Sequence, residues 1–526
     1  MSESRLLARR AGLVAVGTFA SRVLGLANHV VVAALFPVAS TDAFFIAYTI
    51  PNTLRMLLGE GAVSNAFVPI FTDVRTHQGE PAARRFLARF AVTLTGLLLL
   101  ASLLGVLGAP WIALGYAGGL RDRPAEFALV IELTRLLFPL LLLAGLGALC
   151  TGVLNILGHF TVPALAPALQ NVAMIVAPLL LATQLPRWGF DPILSVALGA
   201  LVGGMLQIAL QLPALKAARM LPRPELARGD PDVRRALALI APLTVGFGVY
   251  QLNMLFSRLF TSYLPTGSQS YLSYGQRVIE IPQGMFALAV ASAALPTLAR
   301  LRSEGKREEL LALFRDSMRL TSFIALPASI ALFALAEPTA AVLFGRGKFG
   351  AVQMMETGRS LAVQGLGVWS VALVRTTVPM FAAHQDTRTP VRASALNLLS
   401  FLAIAAALLG PLDHVAIAAA NAIAATLQLG LLLWTLQKHT GPLNLKPVLV
   451  SAVRIGLASL VMAGVARWVA SRFDWLHPSS ELMRIAAYAL LGAVAVVSFV
   501  AAAAALRAPE LTELVRAVRR RGRRAT

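Results

Sequence analysis

Apolar residues run in blocks of twenty or more along nearly the whole chain, separated by short polar, basic or Gly/Pro-rich joints. No two-residue alternation accompanies them, and aliphatic runs of this length are what a helix needs to cross a hydrocarbon core of roughly 30 Å. In hydrocarbon every backbone amide must be satisfied within its own segment, so each block predicts a helix and not a barrel strand. The blocks lie at 11–36, 42–67, 86–114, 127–154, 162–183 and 190–214. After a basic linker come 235–263, 271–298, 310–335, 357–382, 389–410 and 414–438, then 447–470 and 482–506. The expected fold class is an all-α polytopic membrane protein with about 14 transmembrane helices.

Composition agrees with the pattern. Of 526 residues, 57% are hydrophobic and 13% charged, with a mean hydropathy of +0.73. That excludes an ordinary water-soluble enzyme. The net charge of +21 would suggest a nucleic-acid partner in a soluble protein. Here its location decides: with the N-terminus inside, 30 Lys and Arg fall in inside loops and the tail, against nine in outside loops. This predicts a multi-pass membrane protein with both termini cytoplasmic, in contact with phospholipid and not with nucleic acid. The start, MSESRLLARRAG, carries no cleavable small-residue site after a short apolar core, so the first helix is expected to be retained. Cys150 is the single cysteine, which leaves no intrachain disulfide. The tail LTELVRAVRRRGRRAT places Leu511, Leu514, Val515 and Val518 on one face; it reads either as a short helix lying on anionic lipid or as a solvated end.

The chain also repeats itself. VPIFTDVR from Val68 resembles LPTLARLR from Leu295, so that Pro69 and Pro296, and Arg75 and Arg302, are each 227 positions apart. Pro163 and Pro390, each opening a helix, share that offset. Duplication of a six-helix unit follows, and because six is even both copies enter the membrane the same way, as a parallel repeat. The expected domains are 1–220 (helices 1–6), 221–440 (helices 7–12), 441–506 (two further helices) and a basic tail at 507–526, with a cavity between the lobes.

Seven basic residues remain inside the predicted spans: Arg22, Arg55, Arg135, Arg258, Arg277, Arg375 and Arg454. An Arg at mid-span costs about 2.5 to 3.5 kcal/mol on insertion scales, so it faces protein or a wet cavity unless it snorkels. Arg22, Arg55, Arg258 and Arg277 sit on helices 1, 2, 7 and 8, the same two positions of each copy. A staggered cationic lining suits a long anionic ligand, and the guanidinium fork suits phosphate. Asp42, Glu60 and Glu280 offer the competing explanation of internal ion pairs, above all Glu280 for Arg277 at i+3. Arg135 and Arg454 read as interfacial, and Arg375 stays open. Pro51, Gly59-Glu60-Gly61, Pro282, Gly284 and Pro379 interrupt spans, as hinges or as small-residue packing.

Catalytic chemistry is not expected. GRGKFG at 345–350 lacks phosphate-loop spacing, and the seven His are scattered without metal-ligand spacing, so neither cofactor nor metal is predicted.

Several stretches together resemble the MurJ (MviN) family of lipid II flippases in the MOP exporter superfamily. They are SRVLG from Ser21, TDAFF from Thr41, PNTLR from Pro51, GEGA from Gly59, AFVP from Ala66, RVIEIP from Arg277, Leu295-Pro296, LFGRG from Leu343 and QDTRTP from Gln385. The resemblance implies two lobes, a groove from helices 13 and 14 for a polyprenyl tail, and export of lipid II, the undecaprenyl diphosphate-linked muropeptide, by alternating access. It places substrate binding on Arg22, Arg55, Arg258 and Arg277 with Asp42 as an important acid, and allows cell-wall synthesis or division proteins as partners. Where the family usually continues SRxLGFxRD, this chain has Asn28 and His29, which removes a cation and adds a titratable group; Ser257 stands where many relatives carry Asp. Glu60, Glu280, His29 and Asp386 are the candidates for gating or ion coupling. The rival readings are another MOP-type exporter, of lipid-linked oligosaccharide, and a non-transporting membrane scaffold.

Overall fold

The computed structural model describes residues 3–57, 66–227, 229–283, 297–478 and 480–512, with backbone only for 3–16, 18 and 240–250. Glu60 with its flanking glycines, Gly284, Leu295-Pro296 and the tail from 513 lie outside the described residues. Two compact units divide the chain, Met1–Gln269 and Ser270–Thr526.

In the first unit the helices are α1 (Glu3–Leu35), α2 (Val38–Leu54), α3 (Val68–Gln78), α4 (Glu80–Tyr116), α5 (Pro124–Leu137), α6 (Leu140–Ile156), α7 (Thr161–Leu181), α8 (Leu194–Ala217) and α9 (Pro231–Ser262). Helix α10 (Ser268–Pro282) begins at the border. The second unit continues with α11 (Arg307–Ala334), α12 (Ala336–Phe344), α13 (Ala351–Ala383), α14 (Arg388–Leu412), α15 (His414–Thr440), α16 (Lys446–Ala470) and α17 (Glu481–Ala505). No strand occurs among the described residues.

Among the described residues, ten helical segments, α5 and α6 counted as one, are long and apolar enough to cross a membrane. They coincide with ten of the fourteen predicted blocks. The other four blocks, on α1, α2, α9 and α10, overlap residues or side chains outside the described ones; these helices carry Arg22, Asn52, Arg258 and Arg277. The fourth block, expected as one helix, breaks at Phe138-Pro139, where proline lacks the N–H that a continuous helix would donate.

The repeat is written into the helix boundaries. Glu80 and Arg307, Pro124 and Ala351, and Thr161 and Arg388 open corresponding helices, and Leu35 and Ser262 close another pair, all 227 positions apart. The cores correspond too: Phe71, Val74, Ala83, Leu87, Ala91 and Leu154 of the first unit match Leu298, Leu301, Leu310, Phe314, Met318 and Phe381 of the second at that offset. So does a single hydrogen bond. The Ser102 hydroxyl donates to the Phe138 carbonyl (3.2 Å), and the Ser329 hydroxyl donates to the Gly365 carbonyl (2.6 Å).

Helix α9 packs within the first unit. Asp230 caps α9, accepting from the amides of Asp232 (2.9 Å) and Val233 (3.1 Å), and also takes Arg89 of α4 at 2.7 Å. Arg89 holds Glu225 of the linker as well, at 2.6 Å. At the other end of α9, Arg123 donates to Thr266 (2.6 Å) and to the carbonyls of Ser262 and Leu264 (both 3.1 Å), while pairing with Glu126 at 3.0 Å.

Candidate functional site

The candidate site of the first unit is built on α1, α2 and α9. Helix α2 carries Asp42, Thr49 and Thr53 at spacings of seven and four, one stripe of a helix, and Met56 follows in the wide turn after it. The stripe survives in an apolar protein because each polar group near its start has a local partner. The Thr49 hydroxyl donates to the Phe45 carbonyl (2.8 Å), and the buried Asp42 carboxylate accepts the Gly267 amide at 2.6 Å. Gly267 has φ +100°, backbone that a side-chain-bearing residue rarely adopts, so the turn after α9 can offer that amide.

Arg258 of α9 reaches this stripe. Its Nε donates to the Thr49 hydroxyl at 3.1 Å, and the Asp42 carboxylate acts on it electrostatically. A neutral hydroxyl thus aims the guanidinium without cancelling its charge. Arg55 Nε donates to the Asn52 side-chain oxygen (3.1 Å), three residues back on the same helix. At Arg55 the helix widens into a π-type turn over 55–57, and Gln283, which matches Met56 at the 227 offset, lies in such a turn as well. Such wide turns follow Pro51 and Pro282 and often mark functional positions. Arg22 is partly buried on α1, beside Ser21, whose carbonyl and hydroxyl oxygens accept from Asn171 of α7 (3.1 and 3.3 Å). This bond fixes α1 against α7.

In the second unit Arg277 pairs with Glu280 at 2.7 Å on one face of α10. The ion pair that the i+3 spacing allows is therefore formed, and it uses one edge of the guanidinium; the Arg277 Nε, buried, has no hydrogen-bond partner among the described residues. Arg135 and Arg454 are exposed, as interfacial residues should be. Arg375 is exposed on α13 and donates to the Gln283 carbonyl at 3.4 Å.

The candidates for ion coupling have structural partners. His29 Nδ1 donates to the Gly25 carbonyl (3.0 Å) and its ring stacks on Phe45. Asp386 caps α14, accepting from the amides of Arg388 and Thr389 (both 3.0 Å). The side-chain hydrogen bond from Thr389, those amides and His439 hold its carboxyl below the ordinary carboxylate range. A depressed native value gives stability that is present above the unfolded-state value and lost as pH falls through the native one. Asp386→Ala should therefore cost about 1 kcal/mol near neutral pH, and the difference in melting temperature from the unaltered protein should close on acidification toward the carboxylate range.

Charge alone marked the arginines in the sequence; the uncharged residues that orient them were missed. Thr49 and Asn52 lie at helical spacing from Asp42 and Arg55, and Gln251 lies seven residues before Arg258, so helical periodicity of polar residues was the available signal.

Comparison with solved structures defines the class first. The chain shares its fold with "Lipid II flippase MurJ, inward closed conformation" (TM-score 0.75, 23% identity, 92% of this chain and 97% of that one). It also shares it with an inward-facing multidrug resistance MATE family transporter of the MOP superfamily (TM-score 0.67, 15% identity, 81% and 96%). The likeness shows a multi-helix fold common to this chain and those two structures. At the sequence level, the profile of the family described as "Lipid II flippase MurJ" matches residues 31–487. The "Lipid II flippase MurJ" of Burkholderia cenocepacia is 35% identical over 465 residues, 87% of this chain and 89% of that protein. A "Probable lipid II flippase MurJ" of Vibrio cholerae is 34% identical over 473 residues, 88% and 89%. The chain belongs to the MurJ family.

Proposed function

We propose that this protein translocates lipid II across the bacterial inner membrane by alternating access, with both termini in the cytoplasm. Family membership supports the substrate, and Arg258 is the observation in the site that carries it. A guanidinium in a helix among spans, oriented by the Thr49 hydroxyl, keeps its positive charge for a ligand. Arg22 on α1 and Arg55 just after α2, in the same unit, supply further cations for the diphosphate, with Asp42 setting the turn after α9; within the second unit Arg277 is the candidate substrate-binding residue. Arginines replace water around the phosphates, which removes most of the penalty of taking a dianion into a low-dielectric space.

The polyprenyl tail stays in lipid throughout, along α16 and α17. Leu449, Val453, Leu457 and Leu460 of the first, and Leu490, Val496 and Val497 of the second, expose the apolar surface this needs. A cationic drug, the other cargo the fold could suggest, is repelled by these arginines. Depletion and re-expression in cells test the reading: lipid II head groups should disappear from the outer face on depletion and return on re-expression. Unchanged accessibility after depletion would exclude it.

A further inference from the structure

Helices α2 and α9 meet along a seam with two described side-chain rungs. Arg258 donates to Thr49, and Gln251 Nε2 donates to the Met56 sulfur at 3.4 Å. Gln251 and Arg258 are seven residues apart on α9 and share a face of it, while Thr49 on α2 and Met56 in the wide turn that follows receive them. Thr53 falls between the rungs on the α2 face. Thr53 and Gln251 are buried, at 5% and 8% exposure, yet the Thr53 Oγ1 and Gln251 Oε1 have no hydrogen-bond partner among the described residues. The remaining atom of this kind described in the first unit is Asn28 Oδ1, on α1. In this unit the orphaned oxygens are thus confined to the helices that bear Arg22, Arg55 and Arg258, or to the wide turn following α2.

Buried polar groups in native proteins are almost always paired, and an orphan is destabilising relative to an apolar group of the same shape. Retaining two in one seam indicates a use when the seam parts. Thioether sulfur is a weak acceptor, so the Gln251 rung opens at little cost. We propose that Gln251, assisted by Thr53, is a specificity-determining residue whose carbonyl oxygen accepts a hydrogen bond from the hydroxyl or amide N–H groups of the glycosyl head group. The inference rests on the flippase reading above. Its chemical basis is that an ionised diphosphate presents only acceptors. Arginines therefore read only the charge of the diphosphate, and only a protein acceptor senses the donors that the sugar and peptide add.

The test uses the full-length protein in nanodiscs, with lipid II and undecaprenyl diphosphate as the two probes. Q251M is expected to weaken lipid II binding by about tenfold while leaving undecaprenyl diphosphate binding unchanged and the melting temperature equal or higher. T53V, which exchanges a hydroxyl for a methyl, should shift the preference in the same direction. R258A should weaken both lipids together. Either an unchanged preference in Q251M and T53V or a parallel loss of both lipids in those variants overturns the inference. An unaltered protein that binds neither probe overturns the flippase reading itself, and this inference with it.

Discussion

Arg22→Ala is expected to abolish complementation of a flippase-depleted strain while the protein still accumulates in the membrane with an unaltered helical signal. The physical argument separates function from folding. Helix α1 is held to α7 by Asn171, which bonds the backbone carbonyl and hydroxyl of Ser21 and not the Arg22 side chain. Removing the guanidinium therefore leaves that contact in place. What disappears is a charge-assisted donor in a region of low dielectric, where losing one partner of a phosphate contact costs about 3 kcal/mol or more, roughly a hundredfold in affinity. Lysine at position 22 should restore only part of the activity, since a point charge lacks the planar fork. Full complementation by Arg22→Ala would remove the residue from the site.

The second large effect is on stability and follows from the repeat. A Cβ on Gly105 would lie 1.9 Å from the Phe138 ring, so α4 and α5 cross with a glycine against a large side chain. At the corresponding crossing of the second unit the sizes are exchanged: a Cβ on Gly365 would lie 2.9 Å from the Cβ of Leu332. Both crossings are closed by the serine-to-carbonyl hydrogen bond already described, at Ser102 and Ser329. Gly105→Leu alone should overpack the crossing and cost about 3 kcal/mol or more, seen as a lower melting temperature and reduced expression. Adding Phe138→Gly reproduces the arrangement of the second copy and should recover most of that loss. A double variant no more stable than Gly105→Leu would show that the two crossings are not equivalent, and would weaken the assignment of the duplication at side-chain level.

Much of this architecture was legible in the amino-acid order. Ten spans, the 227-residue offset and the in-span arginines all follow from local properties: apolar length, position of prolines, and the cost of charge in hydrocarbon. Even the Arg277–Glu280 pair was visible, because i+3 neighbours on a helix meet whatever surrounds them. Local pattern does not show where a helix widens: within 42–67 the described residues form α2, a wide turn at 55–57 and another at 66–67 that leads into α3, with Glu60 outside the described residues.

Spacing along the chain placed the charges; only the tertiary structure decided what holds and tunes them. That α9 packs with the first unit, that Thr49 receives Arg258, and that Asp42 receives the Gly267 amide are contacts across 209 and 225 residues. Asp386, open to an ion-coupling role on charge alone, acquires its place as a helix cap from the backbone amides ahead of it. The reason is the range of the forces concerned. Transfer of a side chain into hydrocarbon depends on that side chain and its immediate neighbours, so it is written locally. A hydrogen bond depends on distance and angle between groups that only the packed helices bring together.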